Sequence, residues 1–100
     1  LQHSQDMADN NFFSHTGSDG STLADRIRRA GYTGWQLAGE NIAAGFTEPW
    51  ALLYSWMQSD HRLNILSVYF NEIGIGLVYD PGDTFGPYYY YWTQDFGMRN

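Results

Sequence analysis

Cysteine and lysine are both absent from this 100-residue chain, and its apolar runs are short. Without cysteine there is neither a disulfide framework nor a thiolate metal site. This absence leaves the compartment open, because secreted domains do not all depend on disulfides. No apolar run approaches the roughly 20 residues that span a bilayer, so no transmembrane segment is expected. No signal peptide is visible either.

The charge balance limits the kinds of partner that the chain can bind. Its formal net charge is -6, and all of its basic side chains are arginines. This balance argues against nucleic acid and favours small cations or neutral ligands. Apolar residues make up 43% of the chain and aromatic residues 18%, which is typical of a folded domain. One hundred residues are enough for one domain with a modest core.

Helical spacing and capping residues predict four helical segments in the first two thirds of the chain. The first has the pattern of the second half of a helix, so we expect the domain to lack its N-terminal start. In the last segment, we expect Leu63, Ile65 and Leu66 to point inward. The predicted helices run from Leu1 to about Asp9, from an N-cap at Ser21 to Ala30, from an N-cap at Thr47 to about Gln58, and from His61 to Leu66.

The last third of the chain changes to a period of two. Ile73 to Tyr79 alternates large with small residues, and Tyr88 to Phe96 is rich in aromatics, so both are predicted strands. The loop Asp80 to Pro87 joins them into a hairpin, and Leu37 to Ala44 is the candidate third strand. Because the helices precede the strands of this hairpin, the pattern is that of an α+β fold.

Glu40 is the residue that most needs an explanation, because it stands at the head of an apolar segment containing Ile42 and Ala43. A buried carboxylate needs a cation or hydrogen-bond donors, and we expect His15 and His61 to meet it. Two imidazoles and a carboxylate suit a divalent transition ion, above all zinc. The same groups suit a general acid/base pair. Pattern alone favours a third interpretation, in which both histidines are structural.

Other polar residues give weaker signals. His3 is expected to be solvated. Ser14 and Ser59 are conceivable nucleophiles, but neither lies in a Gly-x-Ser-x-Gly elbow. Asp80 and Asp83 lack the ligand count of a calcium site.

Four ordered motifs resemble the CAP superfamily of cysteine-rich secretory proteins, antigen-five venom allergens and plant pathogenesis-related proteins. The resemblance is to its cysteine-free, SCP-like bacterial branch and covers nearly the whole chain. The motifs are His3-Ser4-Gln5-Asp6-Met7-Ala8 leading to Asn11-Phe12-Phe13-Ser14-His15; Gly39-Glu40-Asn41-Ile42-Ala43; Trp56-Met57 leading to His61-Arg62-Leu63-Asn64-Ile65-Leu66; and Tyr91-Trp92-Thr93-Gln94-Asp95-Phe96-Gly97.

The resemblance implies a three-layer α-β-α sandwich with a central antiparallel sheet and a large cleft. In the family, two histidines and two acids line this cleft, and several members bind zinc or another divalent cation there. His15, Glu40 and His61 match three of these four residues. The fourth acid falls on Ser59, and the segment before His61 is one residue shorter than the bacterial pattern. Asp60 is a candidate replacement from a shifted position.

This resemblance implies a CAP domain over residues 1–100 that is secreted or exposed at a bacterial surface. We expect its cleft to bind a divalent cation or a small ligand through His15, His61 and Glu40, with Ser59 and Asp60 in support. One alternative is a hydrolase in which Glu40 or a histidine activates water. Another is a module that binds lipid or sterol. The sequence leaves the oligomeric state open.

Overall fold

A computed structural model describes residues 2–84 and 88–99 of the chain. In the described residues, no helix is long and apolar enough to cross a membrane. Leu1, within the first predicted helix, and residues 85–87 of the predicted loop lie outside the described residues. In chain order, the elements are α1 (Gln2–Asn10), α2 (Leu23–Arg29), β1 (Leu37–Ala44), α3 (Pro49–Met57), α4 (Arg62–Ile65), β2 (Glu72–Tyr79) and β3 (Tyr90–Met98).

The three strands form one antiparallel sheet in the order β1-β3-β2. The predicted hairpin and third strand are therefore confirmed. In the register of β1 against β3, Glu40 lies opposite Asp95 and Asn41 lies opposite Gln94. Because successive side chains of a strand point to opposite faces, these two pairs lie on different faces of the sheet.

Helices cover both faces of the sheet. On one face, Met7 and Ala8 of α1 pack against Ile42, Val78 and Tyr91. On the other face, Leu52 and Trp56 of α3 pack against Ala43 and Trp92. The predicted α+β fold with an α-β-α sandwich is therefore confirmed, with α1 on the face of Glu40 and α3 on the face of Asn41.

Two of the predicted helix caps were wrong by one residue. Thr22, not Ser21, caps α2, because the Thr22 side chain accepts from the Asp25 N–H and the Asp25 side chain accepts from the Thr22 N–H. This reciprocal capping box satisfies two donors, which a cap at Ser21 cannot do. Glu48, not Thr47, occupies the cap of α3, and its side chain makes no capping bond.

The short helix α4 and the strand β3 also differ from expectation. Leu63 and Leu66 are more than half exposed, and only Ile65 of the three packs against a core cluster. The prediction that all three point inward was therefore wrong, because one turn of helix has only one face against the sheet. Strand β3 begins at Tyr90 instead of Tyr88, since Tyr89 has a left-handed φ of 67° that breaks extended pairing.

Candidate functional site

The Glu40 carboxylate is 7% exposed and has a hydrogen-bond donor at each oxygen. His15 Nδ1 lies 2.9 Å from Oε1, and Arg26 Nη2 lies 2.7 Å from Oε2. His15 thus meets Glu40 as predicted, while Arg26 is a partner that the sequence did not reveal. Among the described residues, no hydrogen bond or ion pair joins Glu40 to the His61 side chain, so that part of the expectation is not seen.

Asp95 is a further neighbour of Glu40, because the two residues lie opposite each other in the register of β1 and β3. Burial, a hydrogen bond to Glu40 and the Glu40 charge together raise the pKa of Asp95 to about 8. For Glu40, burial acts in the upward direction, but hydrogen bonds from Asp95, His15 and Arg26 outweigh it and lower its pKa. At neutral pH, Asp95 therefore keeps a proton and donates it to an ionised Glu40.

His61 is oriented by two neighbours, Ser59 and Trp56. The Ser59 hydroxyl donates to the Trp56 carbonyl over 3.1 Å and lies 2.8 Å from His61 Nδ1. With its one proton on the carbonyl, the hydroxyl accepts from His61 Nδ1–H, and with that proton on Nδ1, the His61 hydrogen is on Nε2. The His61 ring also stacks on the Trp56 ring, with the centroids 6.1 Å apart. The first of these two arrangements leaves the lone pair of a neutral His61 on Nε2.

A network of side-chain amides attaches α4 to the free edge of β1. Asn64 Nδ2 donates to the Glu40 carbonyl over 3.1 Å and to Asn41 Oδ1 over 3.0 Å. Asn41 Nδ2 donates to the His61 carbonyl and to Gln94 Oε1, each over 3.1 Å. The backbone of His61 is thus fixed to the strand that carries Glu40, through Asn41.

The two histidines approach β1 from opposite layers. His15 lies in the bend after α1 and contacts Glu40, whereas His61 precedes α4 and is bound to Asn41. Burial lowers the pKa of His61, and the electrostatic effect of His15 lowers it further. The exposed Asp60 acts in the opposite direction. The two histidines are therefore attached to consecutive residues of β1, His15 through its ring and His61 through its backbone carbonyl.

The donors at this edge fit a metal ion in part. Glu40 accepts from His15 Nδ1–H, so a neutral His15 ring has its lone pair on Nε2, and neither His15 Nε2 nor His61 Nε2 has a hydrogen-bond partner among the described residues. Ligating histidines usually donate their other N–H to a carboxylate or similar acceptor. Glu40 is already engaged at both oxygens and fits the role of orienting His15. No cluster of three or more His, Cys, Asp or Glu suited to a metal occurs in the described part of the chain.

Two further residues of this environment were missed or misjudged from the sequence. His3 is 4% exposed, and its Nε2 lies 2.7 Å from the Ser14 carbonyl, so the prediction that His3 is solvated was wrong. Asp95 is an acid within a buried stretch of β3, which is the same signal that marked Glu40. Arg26 gave no such signal, because an arginine late in a helix is usual.

Comparison with known proteins gives the same family as the sequence motifs. The model of the cysteine-rich secretory protein family, CAP, matches residues 1–96. The chain belongs to the CAP family. Among curated proteins, this CAP domain is 38% identical over 94 residues to the uncharacterized protein YkwD of Bacillus subtilis (strain 168), covering 93% of the chain and 33% of that protein.

A second curated relative matches a shorter part of the chain. The uncharacterized membrane protein YlbC of Bacillus subtilis (strain 168) is 37% identical over 76 residues, covering 75% of the chain and 22% of that protein. The chain thus spans a third or less of the length of the curated relatives that it matches.

Two solved structures match almost the whole chain. An extracellular protein containing a SCP domain from Bacillus anthracis str. Ames has a TM-score of 0.83 and 42% identity, over 99% of this chain and 30% of that one. An outer surface protein from Borrelia burgdorferi has the same TM-score of 0.83 at 20% identity, over 99% of this chain and 69% of that one, and shows a shared fold. Both structures are described as extracellular or outer-surface proteins.

Proposed function

We propose that this CAP domain binds a divalent cation, with zinc the best fit, through Nε2 of His15 and Nε2 of His61. The observation that supports this proposal is the contact that each ring makes through Nδ1. His15 Nδ1 lies 2.9 Å from Glu40 Oε1 and His61 Nδ1 lies 2.8 Å from Ser59 Oγ, and a neutral ring that donates through Nδ1–H has its lone pair on Nε2. Imidazole nitrogens suit zinc better than they suit magnesium or calcium.

The electrostatics of the site favour this function at neutral pH. Burial lowers the pKa of His61, so its ring stays neutral, and able to bind a metal, at pH values below the usual pKa of histidine. An ionised Glu40 in contact with His15 makes that imidazole a stronger ligand. With two protein ligands, water or a small ligand completes the coordination shell. A bound cation would act there as a Lewis acid toward a carbonyl or anionic oxygen.

Zinc titration of four proteins by calorimetry tests this proposal. We expect the wild type and the control variant Asp9→Asn, which changes an exposed acid on α1, to give the same heats and affinity. His15→Ala and His61→Ala should each remove most of the heat, because each deletes one of two ligands. Equal heats for the wild type and both histidine variants would show that zinc binds elsewhere and end the proposal.

A hydrolase is the second candidate, and the contact between His15 and Glu40 supports it. An imidazole that donates Nδ1–H to a buried carboxylate has its Nε2 available as a general base toward water. Ser59 is a poorer candidate, since the Trp56 carbonyl competes for its hydroxyl proton. Turnover of peptide or ester substrates that disappears in Glu40→Gln would support this candidate. Turnover that survives Glu40→Gln and His15→Ala would exclude it.

The cellular location of the protein and its alternative role in binding lipid or sterol are also proposals. A position outside the cell or at its surface is supported by the two structural neighbours, which are described as extracellular and outer-surface proteins. Binding of a lipid or sterol stays a prediction, which retention of labelled sterol by the purified protein tests.

A further inference from the structure

We propose that Arg26 and His3 are positioning residues that clamp the segment carrying His15 by binding two consecutive backbone carbonyls. The Arg26 guanidinium binds the carbonyl of His15, and the His3 imidazole binds the carbonyl of Ser14. This inference rests on the proposed function, since it assigns the residues that aim the His15 imidazole in that site.

Arg26 joins three parts of the molecule through one side chain. Its Nη1 lies 2.6 Å from the His15 carbonyl and 3.4 Å from the Ser21 carbonyl, while its Nη2 lies 2.7 Å from Glu40 Oε2. The same planar group therefore fixes both the backbone of His15 and the carboxylate that the His15 ring contacts. A guanidinium presents several donors in a fixed geometry, which a lysine cannot reproduce.

His3 supplies the second point of the clamp. Its Nε2 lies 2.7 Å from the Ser14 carbonyl, and because a carbonyl only accepts, the proton is on Nε2. Burial is the main cause that lowers the pKa of His3, which keeps its ring neutral. The buried side of α1 thus holds the residue next to His15.

The segment itself has little other support. Residues 13–16 lie outside every helix and strand, and the His15 side chain is 60% exposed. Among the described residues, the one other hydrogen bond to the backbone of this segment is internal, from the Thr16 N–H to Ser14 Oγ. Its placement against Glu40 therefore depends on side chains from α1 and α2.

The decisive experiment reads the His15 tautomer in the metal-free protein by long-range ¹H–¹⁵N NMR. In the wild type, we expect His15 to be protonated at Nδ1. Arg26→Lys keeps the charge but lacks the fork of donors, so it should give a mixture of tautomers and a zinc affinity lower by about 10–100-fold. Arg29→Lys is the matched control, because Arg29 lies on the same helix and pairs with the exposed Asp19. It should leave both measurements unchanged.

Two results separate the clamp from the proposed function. If Arg26→Lys disturbs the tautomer but the wild type binds no zinc, the clamp stands and the metal proposal fails. If Arg26→Lys changes neither the tautomer nor the affinity, the clamp is overturned. His3→Gln and His3→Leu provide the second arm: Gln keeps a donor for the Ser14 carbonyl and should retain the wild-type tautomer, whereas Leu should lose it. The same spectrum for both variants would remove His3 from the clamp.

Discussion

The two faces of strand β1 hold polar groups in opposite ways. On the face of α1, Glu40 is surrounded by charged or titratable groups, namely Arg26, His15, Asp95 and His3, whose Nε2 lies 3.9 Å from Glu40 Oε1. On the face of α3, Asn41 is 1% exposed and lies among neutral amides.

The two faces also differ in how completely their polar atoms are paired. Asn41 uses both its Oδ1 and its Nδ2 in hydrogen bonds. Around Glu40, in contrast, three buried side-chain atoms lack a hydrogen-bond partner within the described residues: His3 Nδ1, Arg26 Nε and Asp95 Oδ1. Native proteins keep few such groups, and these often have a functional reason. The amide network therefore stabilises the fold and fixes the backbone of His61, whereas the charged groups around Glu40 are the ones that leave buried atoms unpaired within the described residues.

The largest expected effect comes from breaking the amide face. Asn41→Ala removes bonds to His61, Asn64 and Gln94 at once and should lower the free energy of unfolding by about 3 kcal/mol, because buried groups are left unpaired. Asn71→Ala, at an exposed asparagine, is the control and should cost under about 1 kcal/mol. Urea unfolding measures both. A loss of free energy in Asn41→Ala no larger than that in Asn71→Ala would mean that the amide network contributes little to stability.

The close packing of α4 on β1 gives the next effect. A Cβ at Gly39 would lie 2.8 Å from Asn64 Oδ1 and 2.9 Å from Phe70 Cζ, so Gly39→Ala should cost about 2 kcal/mol through overpacking. Gly74→Ala is the control, because a Cβ there has nothing within 4 Å. Thermal unfolding compares the two variants. A tolerated Gly39→Ala would show that α4 moves freely on this edge.

On the charged face, the pH dependence of stability is the sharper measurement. The folded-state pKa of Asp95, raised to about 8, exceeds its unfolded value, so the folded state binds the extra proton and stability falls as pH rises from about 4 to 8. Asp95→Asn mimics the protonated acid without titrating. At pH 8, it should be more stable than the wild type by at least about 1.4 kcal/mol, the free energy of one pKa unit. At pH 4, the two proteins should be equal.

Two outcomes would contradict this expectation for Asp95. One is a constant difference between Asp95→Asn and the wild type from pH 4 to pH 8, measured by urea unfolding at each pH. The other is a less stable variant at pH 8, which would mean that Asp95 is ionised in the folded protein.

The smallest effect is expected at Ser59. Ser59→Ala removes the hydrogen-bond partner of His61 Nδ1 and should lower the free energy of unfolding by about 0.5–1 kcal/mol, as one hydrogen bond does. The zinc affinity should fall by about tenfold, because the His61 tautomer is no longer fixed. Ser67→Ala, at a half-buried serine of the segment after α4, is the control. An unchanged affinity in Ser59→Ala would remove Ser59 from the site.

Much of the fold follows from local patterns in the sequence. The alternation of Ile73 to Tyr79 and the apolar run after Glu40 predicted strands whose ends match the structure to within one residue. The predicted ends were least accurate where single side chains decide them. The Thr22 capping box and the left-handed Tyr89 are examples, because one hydrogen bond or one φ angle moves a boundary by a residue or two.

The candidate site, like the fold, was predicted only in part from the sequence. The sequence by itself indicated that a carboxylate at Glu40 would be partly buried and would need partners, since it heads a segment whose Ile42 and Ala43 belong in an interior. Only the tertiary structure decided that those partners are Arg26 and a protonated Asp95 as well as His15, and that His61 reaches the same edge through Asn41. The physical reason is that the apolar pattern of neighbouring residues indicates which segments enter the core, whereas charge pairing depends on strand register and helix placement, which join residues far apart in sequence.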